Sequence, residues 1–190
     1  MKKLAFFASH NGSNFQAIVK NCFNKSINAI PELLISNNSD SGAMIFAKEN
    51  NIKAVHISDK TTSNSNQEIL NVLKENKIDL IILAGYMKKI PSEVIKAYPN
   101  KIVNIHPSLL PKYGGKGMYG LNVHKAVIEA KEKFSGLTIH YITENYDEGE
   151  YLLQHQVEVQ PDDTPETLQQ RILAQEHLKY SEVIVSLVGE

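Results

Sequence analysis

The feature that most constrains the fold is an alternation, through the first half of the chain, of short apolar runs with segments of helical periodicity. Runs that are apolar on both faces predict strands at residues 4–9, 32–36, 53–58, 79–85 and 102–106, and the intervals predict helices at residues 15–23, 42–50, 67–76 and 92–97. Such strands are typical of a parallel sheet with right-handed crossovers. We therefore predict an α/β fold, a doubly wound, mainly parallel sheet with helices on both faces.

The second half of the chain has a different pattern. A loop rich in glycine and proline spans residues 107–120, a helix follows near residues 123–131, and strands are predicted at residues 137–143 and 151–159. A polar turn at residues 144–149 separates these late strands. Asp163-Thr164-Pro165-Glu166 predicts the start of a C-terminal helix, because a capping residue, a first-turn proline and an acid follow one another. No linker or repeat interrupts the chain, so we expect one domain over residues 1–190, with halves 1–106 and 107–190.

Composition limits the partners. Lysine plus arginine number 20 and aspartate plus glutamate 21, so no basic nucleic-acid face is expected. No stretch approaches the roughly 18 apolar residues of a membrane helix. Cys22 is the only cysteine, which excludes an internal disulfide and a cysteine-based zinc site. We expect a soluble protein of a reducing compartment, the cytoplasm, that uses no metal and works as a monomer or homodimer.

The segment from His10 to Asn14 is a candidate anion site. It lies between the first predicted strand and helix, where backbone N–H groups at a helix N-terminus bind phosphate. Such a site suits a chain whose only arginine is Arg171. Gly12 permits close approach of the backbone, and Ser13 adds a donor. On this motif alone, an ordinary capped turn is an equally good interpretation.

The string from Asn104 to Pro111 is a candidate catalytic segment. Alternation along a strand places Asn104 and His106 on one side, and Pro107 ends the strand there. Ligands of open α/β sheets bind at this carboxyl edge. Asparagine can donate to a developing oxyanion, and histidine moves protons near neutral pH. The alternative is a hydrogen-bonded histidine at a strand end.

Two further loops could complete such a site. The polar turn from Thr143 to Gly149 carries acids that could orient or charge His106, although a solvated turn is the commoner meaning of such a segment. Gly85, at the end of the fourth predicted strand, permits close approach of a flat ligand. A plain strand-to-helix loop is the alternative there.

Together these segments make the chain resemble the phosphoribosylglycinamide formyltransferases, folate-dependent enzymes of purine synthesis. The resemblance covers nearly the whole chain, in family order and spacing. The wider formyltransferase group is marked by the Asn-Ile-His-Pro-Ser-Leu-Leu-Pro string, and the N-terminal Asn-Gly-Ser-Asn narrows it to an acceptor that carries phosphate. The strings are Asn11-Gly12-Ser13-Asn14, Leu83-Ala84-Gly85-Tyr86-Met87, Asn104-Ile105-His106-Pro107-Ser108-Leu109-Leu110-Pro111-Lys112-Tyr113, Asp147-Glu148-Gly149 and Gln175-Glu176-His177.

The resemblance implies a Rossmann-like fold, with 10-formyltetrahydrofolate as donor and 5-phosphoribosylglycinamide as acceptor. The implied catalytic residues are Asn104, His106 and Asp147. The acceptor would bind at Gly12, Ser13, Asn14 and Glu176. The folate would bind at Met87, Lys88, Lys89, Ile90, Asn104, Thr143, Glu144, Asn145, Tyr146 and Asp147.

Other functions remain open from the sequence. A formyltetrahydrofolate hydrolase or an amino-sugar formyltransferase would share Asn104, His106 and Asp147. A serine hydrolase would use Ser108, but no G-x-S-x-G elbow is present. A non-enzymatic nucleotide-binding module would explain only the residues near Gly12.

Overall fold

The computed structural model describes residues 1–145 and 147–189, and its strands form one seven-stranded sheet in the order β3-β2-β1-β4-β5-β6-β7. Strand β1 pairs in parallel with β2 and β4, β2 pairs in parallel with β3, and β6 and β7 are antiparallel. This architecture confirms the predicted Rossmann-like α/β fold, its late strand pair and its C-terminal helix. The elements are β1 Lys2–Phe7, α1 Ser13–Phe23, β2 Ala29–Ser36, α2 Gly42–Glu49, β3 Lys53–His56, α3 Ser65–Glu75, β4 Leu80–Leu83, α4 Ser92–Ala97, β5 Ile102–His106, α5 Leu121–Glu129, β6 Phe134–Tyr141, β7 Tyr151–Glu158 and α6 Pro165–Gly189.

Contacts between Cα atoms divide the chain into two compact units. The first contains residues 1–103 and 184–190, and the second contains residues 104–183. Among the described residues, none of the helices has the length and apolar content that a membrane span requires. The expectation of a single domain, with halves at 1–106 and 107–190, stays a prediction.

The core of the first unit explains why its strands are apolar on both faces. Phe6 and Phe7 are neighbours in β1, so their side chains point to opposite faces of the sheet, and both are fully buried. Phe6 packs against Phe15 of α1, with ring centroids 4.8 Å apart, and Phe7 packs edge-on against Tyr86. Burial of each phenylalanine contributes about 1.5–3 kcal/mol. Both faces of β1 therefore hold the sheet to the layers around it.

Several element boundaries differ from the predicted ones in the second unit. Strand β6 begins at Phe134 rather than at residue 137, because main-chain pairing with β7 runs from Phe134 opposite Glu158. A ladder of main-chain hydrogen bonds needs no apolar side chain, so the sequence pattern gave no sign of these extra residues. Helix α5 ends at Glu129 instead of near residue 131, because Lys131 adopts a left-handed conformation with φ of 52°.

The connection between β6 and β7 requires glycine at position 149. A Cβ at Gly149 would lie 1.6 Å from the carbonyl oxygen of Tyr141, which is main chain and has little freedom to move. We expect Gly149→Ala to lower the free energy of unfolding by about 1–3 kcal/mol, the usual cost of overpacking. Thermal unfolding should show a lower Tm, by about 2–4 °C for each kcal/mol in a chain of this size.

The matched control for this substitution is Gly189→Ala in α6, where an added Cβ would meet nothing within 4 Å. That variant should keep the Tm of the parent chain. Equal Tm values for Gly149→Ala and the parent would contradict the close approach seen in this turn.

Candidate active site

The predicted anion site lies in the loop between β1 and α1. Gly12 precedes the first residue of α1 and has φ of 60°, and a Cβ there would lie 3.1 Å from Cβ of Ala43. The N-cap residue, Gly12, gives this helix end no side-chain hydrogen bond. The first N–H groups of a helix have no partner within the helix, so a helix N-terminus of this kind is suited to bind an anion. Asn14 itself is buried.

Ser9 connects this loop to the segment after β4. Its amide donates to the carbonyl of Gly85 at 3.1 Å, and its hydroxyl accepts a hydrogen bond from the Met87 amide at 2.8 Å. The same hydroxyl donates to Oδ1 of Asn37 at 2.5 Å. Ser9 thus fixes the position of Met87, and sequence reasoning did not single it out as a functional residue.

The remaining residues predicted to bind folate in this unit follow Met87. Met87 is 39% exposed, whereas Ile90 is buried. The ammonium of Lys88 lies 3.9 Å from Oδ2 of Asp59, and Lys88 and Lys89 are both exposed. The segment therefore offers an exposed thioether and two cationic side chains beside a fixed backbone.

In the second unit, Asn104 and Asp147 both lie beside a further side chain, His140, and Asp147 also lies beside His106. Nδ2 of Asn104 lies 3.2 Å from Nε2 of His140, and that nitrogen lies 3.6 Å from Oδ1 of Asp147. The other carboxylate oxygen of Asp147 lies 3.9 Å from Nδ1 of His106. These distances define the cluster of Asn104, His106, His140 and Asp147, which we call the polar cluster.

The hydrogen bonds around the two imidazoles assign their protons. Nε2 of His106 lies 2.7 Å from the carbonyl oxygen of Tyr113, and a carbonyl only accepts, so Nε2 carries hydrogen. Nδ1 of His140 likewise donates to the carbonyl of Tyr141 at 2.9 Å. In neutral His140, Nε2 is then an acceptor for the Asn104 amide. The Asn104 amide nitrogen bears a second hydrogen that this bond does not use, so it can donate to a ligand.

Opposing influences set the charges of the polar cluster. Burial lowers the pKa of His106 below its usual value and outweighs the raising influence of the Asp147 carboxylate and of the bond to Tyr113. The neighbouring His140 lowers the pKa of His106 further. Asp147 thus favours the imidazolium form of His106, as expected, but burial decides the net direction of the pKa shift.

Asp147 is an anion in this setting. Burial alone would raise the pKa of its carboxyl, but the adjacent His140 imidazole, the hydrogen bond from the Gly115 amide and the nearby His106 hold that pKa below its usual range. The Gly115 amide donates to Oδ2 at 2.8 Å. The glycine-rich loop of residues 114–120 therefore begins at a contact that holds the carboxylate in place.

The other predicted ligand residues of this unit are not members of the polar cluster. Thr143 and Asn145 form a local turn, in which the Asn145 amide donates to the Thr143 hydroxyl at 3.3 Å. Glu144 is exposed there, and Glu176 of α6 is buried. Tyr146 lies outside the described residues.

Sequence reasoning missed three contributors to the polar cluster. His140 ends the apolar run of β6 much as His106 ends β5, and that parallel could have identified it. Tyr113 and Gly115 act through main-chain atoms, which carry no sequence signal. His124 of α5 is also buried nearby: burial, and next the charge of His106, lower the pKa of its imidazole to about 4.

A serine-hydrolase role for Ser108 finds no support in the structure. The Ser108 hydroxyl is fully buried and donates to the Lys112 carbonyl at 2.6 Å, so it is not placed as a nucleophile. In the described part of the chain, no group of three or more His, Cys, Asp and Glu side chains is arranged to hold a metal ion.

Comparison with known proteins shows the family of the chain. The profile of the formyl transferase family matches residues 2–184. The phosphoribosylglycinamide formyltransferase of Bacillus subtilis is 38% identical over 192 residues, which cover 100% of this chain and 96% of that protein. The crystal structure of phosphoribosylglycinamide formyltransferase from Bacillus halodurans superposes with a TM-score of 0.92 at 33% identity and covers 100% of this chain and 96% of its own.

The plant relatives are longer. The chloroplastic phosphoribosylglycinamide formyltransferase of Arabidopsis thaliana is 43% identical over 193 residues, and the alignment covers all of this chain but 66% of the plant protein. For the Vigna unguiculata protein, at 42% identity, that share is 62%. The family profile and the bacterial relatives extend over nearly all of the chain. The chain therefore belongs to the formyl transferase family, where it groups with the phosphoribosylglycinamide formyltransferases.

Proposed function

We propose that the chain transfers a formyl group from 10-formyltetrahydrofolate to the amine of 5-phosphoribosylglycinamide, a step of purine (IMP) synthesis. The observation that carries this proposal is the polar cluster. Its carboxamide and its carboxylate each lie within 4 Å of the His140 imidazole, and the carboxylate also lies within 4 Å of the His106 imidazole. These are the groups that acyl transfer to an amine requires: a donor for oxyanion charge, a proton carrier and an anion.

The proposed chemistry gives each of these groups a role. The folate supplies an activated formyl group on nitrogen. As the amine attacks the formyl carbon, negative charge develops on the formyl oxygen, and the free N–H of Asn104 stabilises it. The bond from the formyl carbon to the folate nitrogen then breaks, and His106 gives that nitrogen a proton. The attacking amine loses a proton, which Asp147 accepts through a water and relays to His106.

The substrates are assigned to the segments that suit them. Gly12, Ser13 and Asn14 would bind the acceptor phosphate through backbone N–H groups, since an exposed arginine clamp is absent from that loop. Glu176 would bind the ribose. The folate would lie against Met87–Ile90 and the segment of residues 143–147, with Asn104 at its reacting end. The protein would work in the cytoplasm, a compartment that suits a chain whose one cysteine is a buried free thiol.

The experiment that tests this proposal follows folate product release by absorbance, with and without 5-phosphoribosylglycinamide. We expect release only when the amine is present, and formylated acceptor in equal amount. Release into water alone would identify a formyltetrahydrofolate hydrolase. Release that depends on an amino sugar would identify an N-formyltransferase of that class, and binding without turnover would leave only a nucleotide-binding module.

The phosphate loop has its own test. In Gly12→Ala, an alanine must adopt φ of 60°, which costs about 1–2 kcal/mol, and its Cβ must press on Ala43 at 3.1 Å. We expect the KM for 5-phosphoribosylglycinamide to rise about tenfold while the KM for the folate stays near its parent value. Steady-state kinetics with each substrate varied would measure this, and an equal rise in both constants would contradict the assignment.

A further inference from the structure

A pocket outside the polar cluster has the features of a second ligand site. It has a volume of about 570 Å³, which lies in the range of small-molecule pockets. Its walls combine apolar side chains with basic ones. The lining residues are Leu109, Lys112, Tyr113, Val127, Lys131, Glu132, Lys133, Phe134 and Ser135.

The charges of this pocket are unbalanced. Among the described residues that line it, the only acid is Glu132, and its Oε1 already accepts from the Lys112 ammonium at 2.9 Å and from the Tyr113 hydroxyl at 3.0 Å. Lys131 and Lys133 flank that glutamate, are exposed, and have no ion-pair partner in residues 1–145 and 147–189. The pocket therefore presents two uncompensated ammonium groups to a ligand.

The rest of the lining is suited to an apolar body. Val127 is fully buried in the wall, and Phe134 leaves 46% of its surface exposed. Ser135 is buried, and its hydroxyl has no partner among the described residues. A buried hydroxyl without a partner costs free energy, so a polar atom of a ligand that reached this wall would relieve that cost.

We propose that this pocket binds a small organic anion, an aryl carboxylate, whose carboxylate pairs with Lys131 and Lys133 while its ring lies on Val127 and Phe134. Lysine is a point charge and recognises a carboxylate without demanding a fixed geometry. The apolar surface beside the charges separates this ligand class from inorganic anions.

Tyr113 joins the pocket to the polar cluster. Its hydroxyl donates to Glu132 inside the pocket, and its carbonyl accepts the Nε2 hydrogen of His106 at 2.7 Å. A carboxylate paired with Lys131 and Lys133 adds negative charge beside Glu132, and so changes the setting of the Tyr113 hydroxyl that is bonded to Glu132. Occupation of the pocket is therefore linked to the environment of the His106 imidazole.

The test uses the full chain and 2-naphthoate, titrated by calorimetry. We expect saturable binding with a stoichiometry of one at this pocket, at least fivefold weaker in the double variant Lys131→Gln/Lys133→Gln. The matched control, Lys116→Gln/Lys125→Gln, removes two exposed lysines of the same unit that do not line the pocket, and it should bind as the parent does. Neutral 2-naphthylmethanol should bind at least fivefold more weakly than the carboxylate.

Three results would overturn the site: no saturable binding at millimolar 2-naphthoate, equal affinity in Lys131→Gln/Lys133→Gln, or equal affinity for the alcohol. The link to His106 has a separate readout, the ring ¹⁵N resonances of that residue. Saturating 2-naphthoate should shift them in the parent and not in Lys131→Gln/Lys133→Gln. Resonances that stay in place while the pocket fills would overturn the link. None of these measurements depends on formyl transfer.

Discussion

His106→Asn is expected to lower kcat for formyl transfer by about 10²–10⁴-fold, the usual contribution of a positioned general acid. The imidazole is buried, its Nε2 is held by the Tyr113 carbonyl, and its Nδ1 faces the Asp147 carboxylate at 3.9 Å. Asparagine keeps polar atoms near these positions, yet its amide cannot exchange a proton near neutral pH. Steady-state turnover and single-turnover rates would measure the loss.

Substrate binding should survive the same substitution, because the proposed phosphate contacts are made by backbone N–H groups near Gly12. Calorimetric titration with 5-phosphoribosylglycinamide should therefore give a Kd within a few-fold of the parent value. His155→Asn is the matched control, since His155 lies in β7 outside the polar cluster. Turnover of His106→Asn within a few-fold of the parent would refute its role as the acid.

Asp147→Asn is expected to lower kcat by about 10²-fold and to change the pH profile as well. The carboxylate raises the pKa of His106 against the lowering effect of burial. Removing its charge lowers the pKa of His106 further, so less imidazolium is present at any given pH. If the imidazolium is the acid, the fall in kcat/KM on the alkaline side should move to lower pH, and the loss should be larger at pH 8 than at pH 6.

Rates of parent and variant across that pH range would measure the displacement. Asp162→Asn removes an exposed acid from the same unit and should leave the profile in place. A uniform loss at every pH would show that Asp147 only positions other groups. A displacement toward higher pH would contradict the electrostatic account of the polar cluster.

The order of the helices and strands was predictable because each of them has a characteristic pattern of apolar and polar side chains. Apolar residues on both faces of β1 and β4 indicate parallel strands in the interior, and Asp163 to Glu166 mark the start of α6. Its observed N-terminus follows this pattern, with the Thr164 hydroxyl accepting from the Thr167 amide at 3.3 Å. The first three residues of β6 were missed because main-chain pairing, not side-chain burial, extends that strand.

The polar cluster was predictable only in part, for a similar reason. Asn104 and His106 stand out because alternation places both at the end of a strand, and Asp147 because it lies in the turn between two late strands. The position of His140 beside Asn104 results from the arrangement of strands that are distant in sequence. The contacts of Asp147 with Gly115 and of His106 with Tyr113 use main-chain atoms. Main-chain atoms are the same in nearly every residue type, so the sequence does not indicate such contacts and only the structure shows them.

Ser9 has a consequence for how the two substrates influence one another. Its main chain bonds to Gly85 and its hydroxyl to the Met87 amide, so the loop assigned to the acceptor and the segment assigned to the donor share one residue. A ligand that restricts one of these segments reduces the conformational entropy that the other must lose. Each substrate should then tighten the binding of the other by the same factor, as thermodynamic reciprocity demands. Such mutual tightening favours formation of the ternary complex over dissociation of the first substrate before the second has bound.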